Sequence, residues 1–99
     1  MGNDQVNDKA GDQAEEELAK ELQPEHLKVL YYALKPAKRK DILEEALGLA
    51  NHTDNVRRYI NALLEKGLLD QTIKYRPNSP LQQYVTTGKG REMLKYHRL

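Results

Sequence analysis

The spacing of apolar residues along this chain changes character twice, and the changes divide it into elements. Between Lys38 and Lys66 the spacing is helical on both sides of a short break. Ile42, Leu43, Ala46 and Leu47 recur at helical intervals up to Gly48, the residue type that most cheaply takes the left-handed conformation ending a helix. Leu49 then points back to the core. Asn51 is placed to cap the next helix and Asp54 sits near that helix's positive end, while Val56, Tyr59, Ile60, Leu63 and Leu64 form one apolar stripe closed by Gly67. The pattern predicts two helices joined by a tight turn.

Upstream, Pro24 suits a first helical turn, and Leu27, Leu30, Tyr31 and Leu34 are expected on the buried face of a core helix that stops before Pro36. Ahead of it, Asp12 and Glu15 read as a capping box for a short acidic accessory helix over 12–22, with Ala14, Leu18, Ala19 and Leu22 as a thin apolar edge. Its expected place is against its own domain, with a dimer contact as the alternative. Residues 1–11 are too polar to bury a core and read as a disordered linker or tail. After Gly67 the period becomes alternating: Leu68–Ile73 and Gln82–Thr86 are expected strands, with Tyr84 inward, and the proline-bearing KYRPNSPL between them breaks the pairing. Thr87 caps a last helix with Met93, Leu94 and His97 inside and Lys89, Arg91 and Lys95 outside. The order predicts a mostly α fold with a small β-hairpin. This is a winged helix-turn-helix over 12–99, with a three-helix core, a two-stranded wing and flanking N- and C-terminal helices.

Ninety-nine residues suit one small core. The chain has no cysteine, and His26, His52 and His97 lack ligand-like spacing, so neither disulfides nor a metal site is expected. No apolar run approaches the roughly 20 residues needed to span a bilayer, and no secretory signal pattern opens the chain, so a cytoplasmic protein without membrane association is expected. The net charge of +1 conceals an asymmetry: residues 1–34 hold three Lys against eight acids, and residues 35–99 hold thirteen Lys and Arg against seven acids. The basic part contains the helix pair, where a positive surface favours a phosphate backbone.

The second helix of that pair leaves Thr53, Asn55, Arg57, Arg58 and Asn61 outside its stripe. These side-chain types read duplex DNA in the major groove: Arg bridges guanine acceptors, Asn pairs with adenine and Thr meets phosphate or a thymine methyl. Lys38 and Arg39, with Lys40, start the helix pair and are placed to touch phosphates, as are Lys74 and Arg76 at the wing's base. The competing reading is an ordinary solvated surface. Tyr31 and Tyr32 resemble a base-stacking platform, but core packing is the stronger expectation for Tyr31. Gly88-Lys89-Gly90 lacks the rest of a phosphate-binding loop, and the acidic runs Glu15–Glu17 and Glu44–Glu45 read as solvated helix faces. Neither an enzyme nor a cofactor is expected.

Gly67, Leu68, Leu69, Asp70, Thr72, Ile73, Pro77, Ser79, Gln83, Tyr84, Thr87 and Gly90 together resemble a family pattern of strand end, Pro-x-Ser wing, Gln-x-Tyr strand and Thr-x-x-Gly helix start. The pattern is that of the C-terminal winged-helix domain of bacterial Fic-like proteins and of transcriptional regulators with an upstream Schlafen/AlbA-type domain. LGLANHTDNVRRYINALLEKG also resembles that family's reading-helix segment, so the similarity spans about Pro24 to Leu99. Pro80 and Leu81 depart from the basic or polar residues usual after the wing serine. The resemblance implies a DNA-binding module of a bacterial transcriptional regulator, acting on double-stranded DNA, as a homodimer or with an upstream domain of a parent protein. The acidic leader resembles the linker before that domain, so an excised C-terminal domain is expected. The alternative it implies is a protein-interaction or regulatory domain of a larger, Fic-type protein.

Overall fold

A computed structural model describes residues 16–97. The Asp12–Glu15 capping box, Ala14 and the 1–11 tail lie outside the described residues. Helix α1 covers residues 16–21, and α2 is Pro24–Tyr32. Helix α3 starts as Arg39–Asp41 and runs directly into a π-helical turn, Ile42–Ala46. Helix α4 comprises Thr53–Asn55, a π-helical stretch Val56–Asn61 and a closing α-helical turn Ala62–Glu65. Strands β1, Leu69–Gln71, and β2, Tyr84–Thr86, follow, and α5 is Gly88–His97. This is the expected mostly helical fold with a two-stranded antiparallel hairpin, consistent with a small winged helix.

Helix α2 lies at the centre, packing on α3, α4, α5 and β2. Val29, Leu30, Ile42, Leu43, Ile60, Leu63, Leu68 and Met93 are fully buried, contributed by α2, α3, α4, the residue before β1 and α5, so removing their apolar surface from water is the common driving force. Tyr31 is not among them. It is 61 % exposed, against the expectation of a core position, and the inward face of α2 is carried by His26, Leu27, Val29, Leu30 and Ala33. Strand β2 approaches the end of α2 at the buried Ala33: the Thr86 hydroxyl donates to the Leu30 carbonyl at 2.6 Å and the Thr86 N–H to the Ala33 carbonyl at 2.8 Å. These bonds satisfy carbonyls that the end of α2 would otherwise leave orphaned.

The two helix stops stand where the glycines predict. Gly67 has φ +74°, with Leu68 N–H bonded to the Leu63 carbonyl and Gly67 N–H to the Leu64 carbonyl, the paired closure of a Schellman motif. Around Gly48 (φ +65°) the closure is one residue wider, Leu49 to Leu43 and Gly48 to Glu44, matching the wide turn before it. The cap of α4 differs from expectation. His52, not Asn51, holds the first turn, its Nδ1 accepting from the Asp54 N–H at 3.3 Å.

Two histidines tie helices together. His26 Nδ1 accepts from the Gln23 N–H at 3.2 Å and its Nε2–H donates to the Arg58 carbonyl at 3.0 Å, an arrangement that fits the neutral ring protonated on Nε2. His97 Nε2 donates to the Ala19 carbonyl at 2.6 Å, and Ala19 and Leu22 are buried, so α1 packs on its own domain.

The strands are shorter than their patterns suggest. Register runs Leu69 to Thr86, Asp70 to Val85 and Gln71 to Tyr84; beyond it the Thr72 N–H still bonds the Gln83 carbonyl at 2.9 Å, and at Ile73 the Gln82 side chain takes over. Thr87 caps α5 as expected, its hydroxyl accepting from the Gly90 N–H at 3.1 Å and donating to the Gly67 carbonyl at 2.7 Å. Gly90 itself is buried against the sheet. A methyl there would collide with the Leu68 carbonyl oxygen and sit 2.6 Å from Thr86 Cγ2, both part of the packed frame. Gly90→Ala should therefore destabilise by roughly 1–3 kcal/mol, the usual range for overpacking. Gly88→Ala, whose added methyl meets nothing within 4 Å, should not destabilise. Urea unfolding of the two variants checks this, with the midpoint falling only for Gly90→Ala.

Candidate nucleic-acid interface

Ala37 pairs with Tyr84 as an isolated antiparallel bridge, N–H to carbonyl at 2.9 Å one way and 2.7 Å the other. This adds a one-residue third strand beside β2. Lys38, Arg39 and Lys40 follow immediately and open α3, so the bridge seats three cations next to the wing. Between them and the wing residues Asn78 and Ser79 lies a cleft of about 210 Å³, which also takes in Asn51 from the turn. A smaller hollow of about 110 Å³ shares Arg39 and Asn51 and reaches His52 and Thr53 at the start of α4. No carboxylate lines either one. Arg39 thus joins the wing side to the start of the second helix of the pair in one concave, cationic surface, suited to a run of anionic oxygens.

The candidate reading residues do not all stand alike. Thr53, Arg57, Arg58 and Asn61 are exposed on α4. Arg57 lies 4.0 Å from Asp54, an exposed pair of the kind worth little and readily exchanged for another anion. Arg58 reaches over the Tyr59 ring, 5.9 Å from its centroid, while His26 holds its carbonyl, so its backbone is tied to α2. Asn55 has a different job: its Nδ2 donates to the Ala50 carbonyl at 2.9 Å and fastens the turn before α4. The π-helical pitch of Val56–Asn61 moves Arg57, Arg58 and Asn61 around the axis relative to a 3.6-residue period.

On the wing, Lys74 and Arg76 line neither hollow. Lys74 Nζ sits 3.2 Å from Asp70. That contact, with the Gln71 N–H as a second donor, holds the Asp70 carboxyl below its usual value. Arg76 is exposed, and its carbonyl accepts from the Ser79 N–H at 3.0 Å and from Gln82 Nε2 at 3.2 Å.

Sequence reasoning missed Gln82, which organises this loop. It is buried, its Oε1 accepts from the Ile73 N–H at 2.9 Å, and its Nε2 donates to the Ile73 carbonyl at 2.6 Å. A glutamine in an expected strand carries no spacing signal for such a role; the two prolines nearby, which remove ladder donors, are the hint that a side chain must supply bonds instead. Asn51, Asn78 and Ser79 also enter the site only through tertiary approach.

No helix among the described residues is long and apolar enough to cross a membrane, and no group of three His, Asp or Glu side chains among them could hold a metal ion. No curated protein and no solved structure matches the chain. The family model described as "Filamentation induced by cAMP protein Fic-like, C-terminal domain" matches residues 25–87, from the first turn of α2 through β2 and thus across every element that shapes the cleft. The chain belongs to the Fic-like C-terminal domain family.

Proposed function

We propose that this chain is a duplex-DNA-binding winged-helix module of a bacterial, cytoplasmic transcriptional regulator. The observation that carries the reading is the carboxylate-free surface on which Arg39 links the wing cleft to the start of α4. Lys38, Arg39 and Lys40 engage phosphates, Asn78 and Ser79 add neutral donors from the wing, and Thr53, Arg57, Arg58 and Asn61 face the major groove. Asn55 drops out of the reading set because its amide serves the turn. Lys74 contributes only when released from Asp70. A single module of this size makes a small interface, so tight binding calls for a homodimer or for contacts from an upstream domain, of the Schlafen/AlbA type or another.

Fluorescence anisotropy with mixed-sequence duplex DNA at several salt concentrations tests the reading. The wild type should lose affinity steeply with salt, and Lys38→Gln/Arg39→Gln/Lys40→Gln should flatten the log–log slope by about 2–3, near one per phosphate contact removed. An Arg57→Ala/Arg58→Ala variant should bind weakly at every salt concentration. An unchanged slope in the triple variant would remove the cleft from the DNA surface.

Asp70→Asn should free Lys74 and tighten DNA binding a few-fold, on the order of one phosphate contact at low salt. The lowered value of the Asp70 carboxyl means that its attraction for Lys74 is fully present above the ordinary carboxylate range and is lost as pH falls through the lowered range. The difference between wild type and Asp70→Asn should accordingly be present at pH 7 and shrink in acid.

A further inference from the structure

Helix α2 turns two tyrosines to solvent in adjacent positions, Tyr31 at 61 % and Tyr32 at 39 % exposure. With Lys28 and Ala46 they enclose a hollow of about 240 Å³ whose walls are almost wholly apolar. Tyr32 also borders a second hollow of about 320 Å³ that takes in Lys35, Lys38 and Asp41. Tyr32 lines both, so the two hollows adjoin as a groove with an apolar end at Tyr31 and Ala46 and a mixed polar end at Lys35 and Asp41.

The charge around this groove is uneven. Lys28, Lys35 and Lys38 make no ion pair within 4.0 Å among the described residues, and Asp41 is the one carboxylate in the lining of either hollow. Lys28 borders the apolar hollow, and Lys35 and Lys38 border the second, whose walls are as polar as they are apolar. Tyrosines that keep an apolar body and a polar tip at the surface are enriched where a partner docks, and they dominate binding energy when a partner desolvates them.

We propose that this groove docks an acidic peptide segment of a partner protein, with one large apolar side chain seated between Tyr31, Tyr32 and Ala46. Asp and Glu residues flanking that anchor meet Lys28 and Lys35. The apolar stem of Lys28 completes the slot while its ammonium stays in water. A single-stranded nucleic acid would also use tyrosines and lysines, but it needs a continuous cationic track for successive phosphates, and the apolar hollow that seats the anchor offers one cation, Lys28. Lys38 borders both surfaces, but Lys28, Tyr31, Tyr32 and Lys35, which carry the peptide contacts, line neither hollow of the DNA surface.

The test uses the whole chain and fluorescein-labelled nonapeptides with a central Trp or Leu flanked by Asp and Glu, beside a matched set flanked by Ser. The acidic set should bind about tenfold more tightly than the serine set, and Tyr31→Ser/Tyr32→Ser should weaken it by at least about tenfold. Lys28→Gln/Lys35→Gln should weaken it several-fold and flatten its salt dependence, with both variants keeping the wild-type circular dichroism melt and duplex-DNA affinity. Equal binding of the two peptide sets, no binding of either, or variants that bind like the wild type would overturn the proposal. So would oligothymidylate binding more tightly than the peptides and displacing them from this face.

Discussion

Two hydrogen bonds between Ala37 and Tyr84 decide where the basic start of α3 sits. Without them Lys38, Arg39 and Lys40 would follow a free connection out of α2, and the wing would be a separate hairpin. With them, the first residue beyond Pro36 becomes a strand beside β2, and the three cations have a fixed wall in front of them. The bridge is in turn secured from behind. Tyr84 is buried, its neighbour Thr86 is bonded to the end of α2 and packed on Gly90, and Thr87 ties α5 to Gly67. Removing any one support loosens β2 and with it the cleft.

The second constraint lies at the other end of the site. His26 joins α2 to the backbone of Arg58, and Asn55 joins α4 to the turn, so the segment from His52 to Arg58 is held by polar bonds as well as by its apolar stripe. Side chains that could have been contact residues thereby serve as framework. The cationic face and the tyrosine groove occupy different parts of this scaffold and meet at Lys38, which borders both. One small domain therefore carries two surfaces of unlike chemistry, one charged and concave, the other apolar with a charged rim.

Much of the fold is legible from spacing. The stripe of α4, the glycine stops at 48 and 67, inward Tyr84 and the Thr87 cap all follow from local periodicity and capping chemistry, which act over a few residues. Features set by tertiary approach were not legible. A one-residue strand at Ala37 has no period to read. Tyr31 fits a helical stripe as well as Val29 does, and only the tertiary packing of α2 decides which of the two is buried. His52 rather than Asn51 caps α4, its ring nitrogen taking the place of the expected amide oxygen. Gln82 is indistinguishable in sequence from a strand residue until the prolines leave Ile73 without a ladder partner. In the site, the types Lys, Arg, Thr and Asn were visible, but their division between contact and framework depends on where carbonyls such as Ala50 and carboxylates such as Asp70 happen to lie.

On the proposed reading, the wing cleft and the start of α4 act as one DNA surface, with the Ala37–Tyr84 bridge holding the basic start of α3 against the wing. Amide and side-chain NMR shifts of the isotope-labelled chain, followed as mixed-sequence duplex DNA is added at low salt, test it most directly. Lys38–Lys40, Asn51–Thr53 and Asn78–Ser79 should shift together along one binding curve, while Lys28, Tyr31 and Tyr32 stay in place. Shifts confined to α4 with the wing unmoved, or centred on the tyrosine groove, would contradict it.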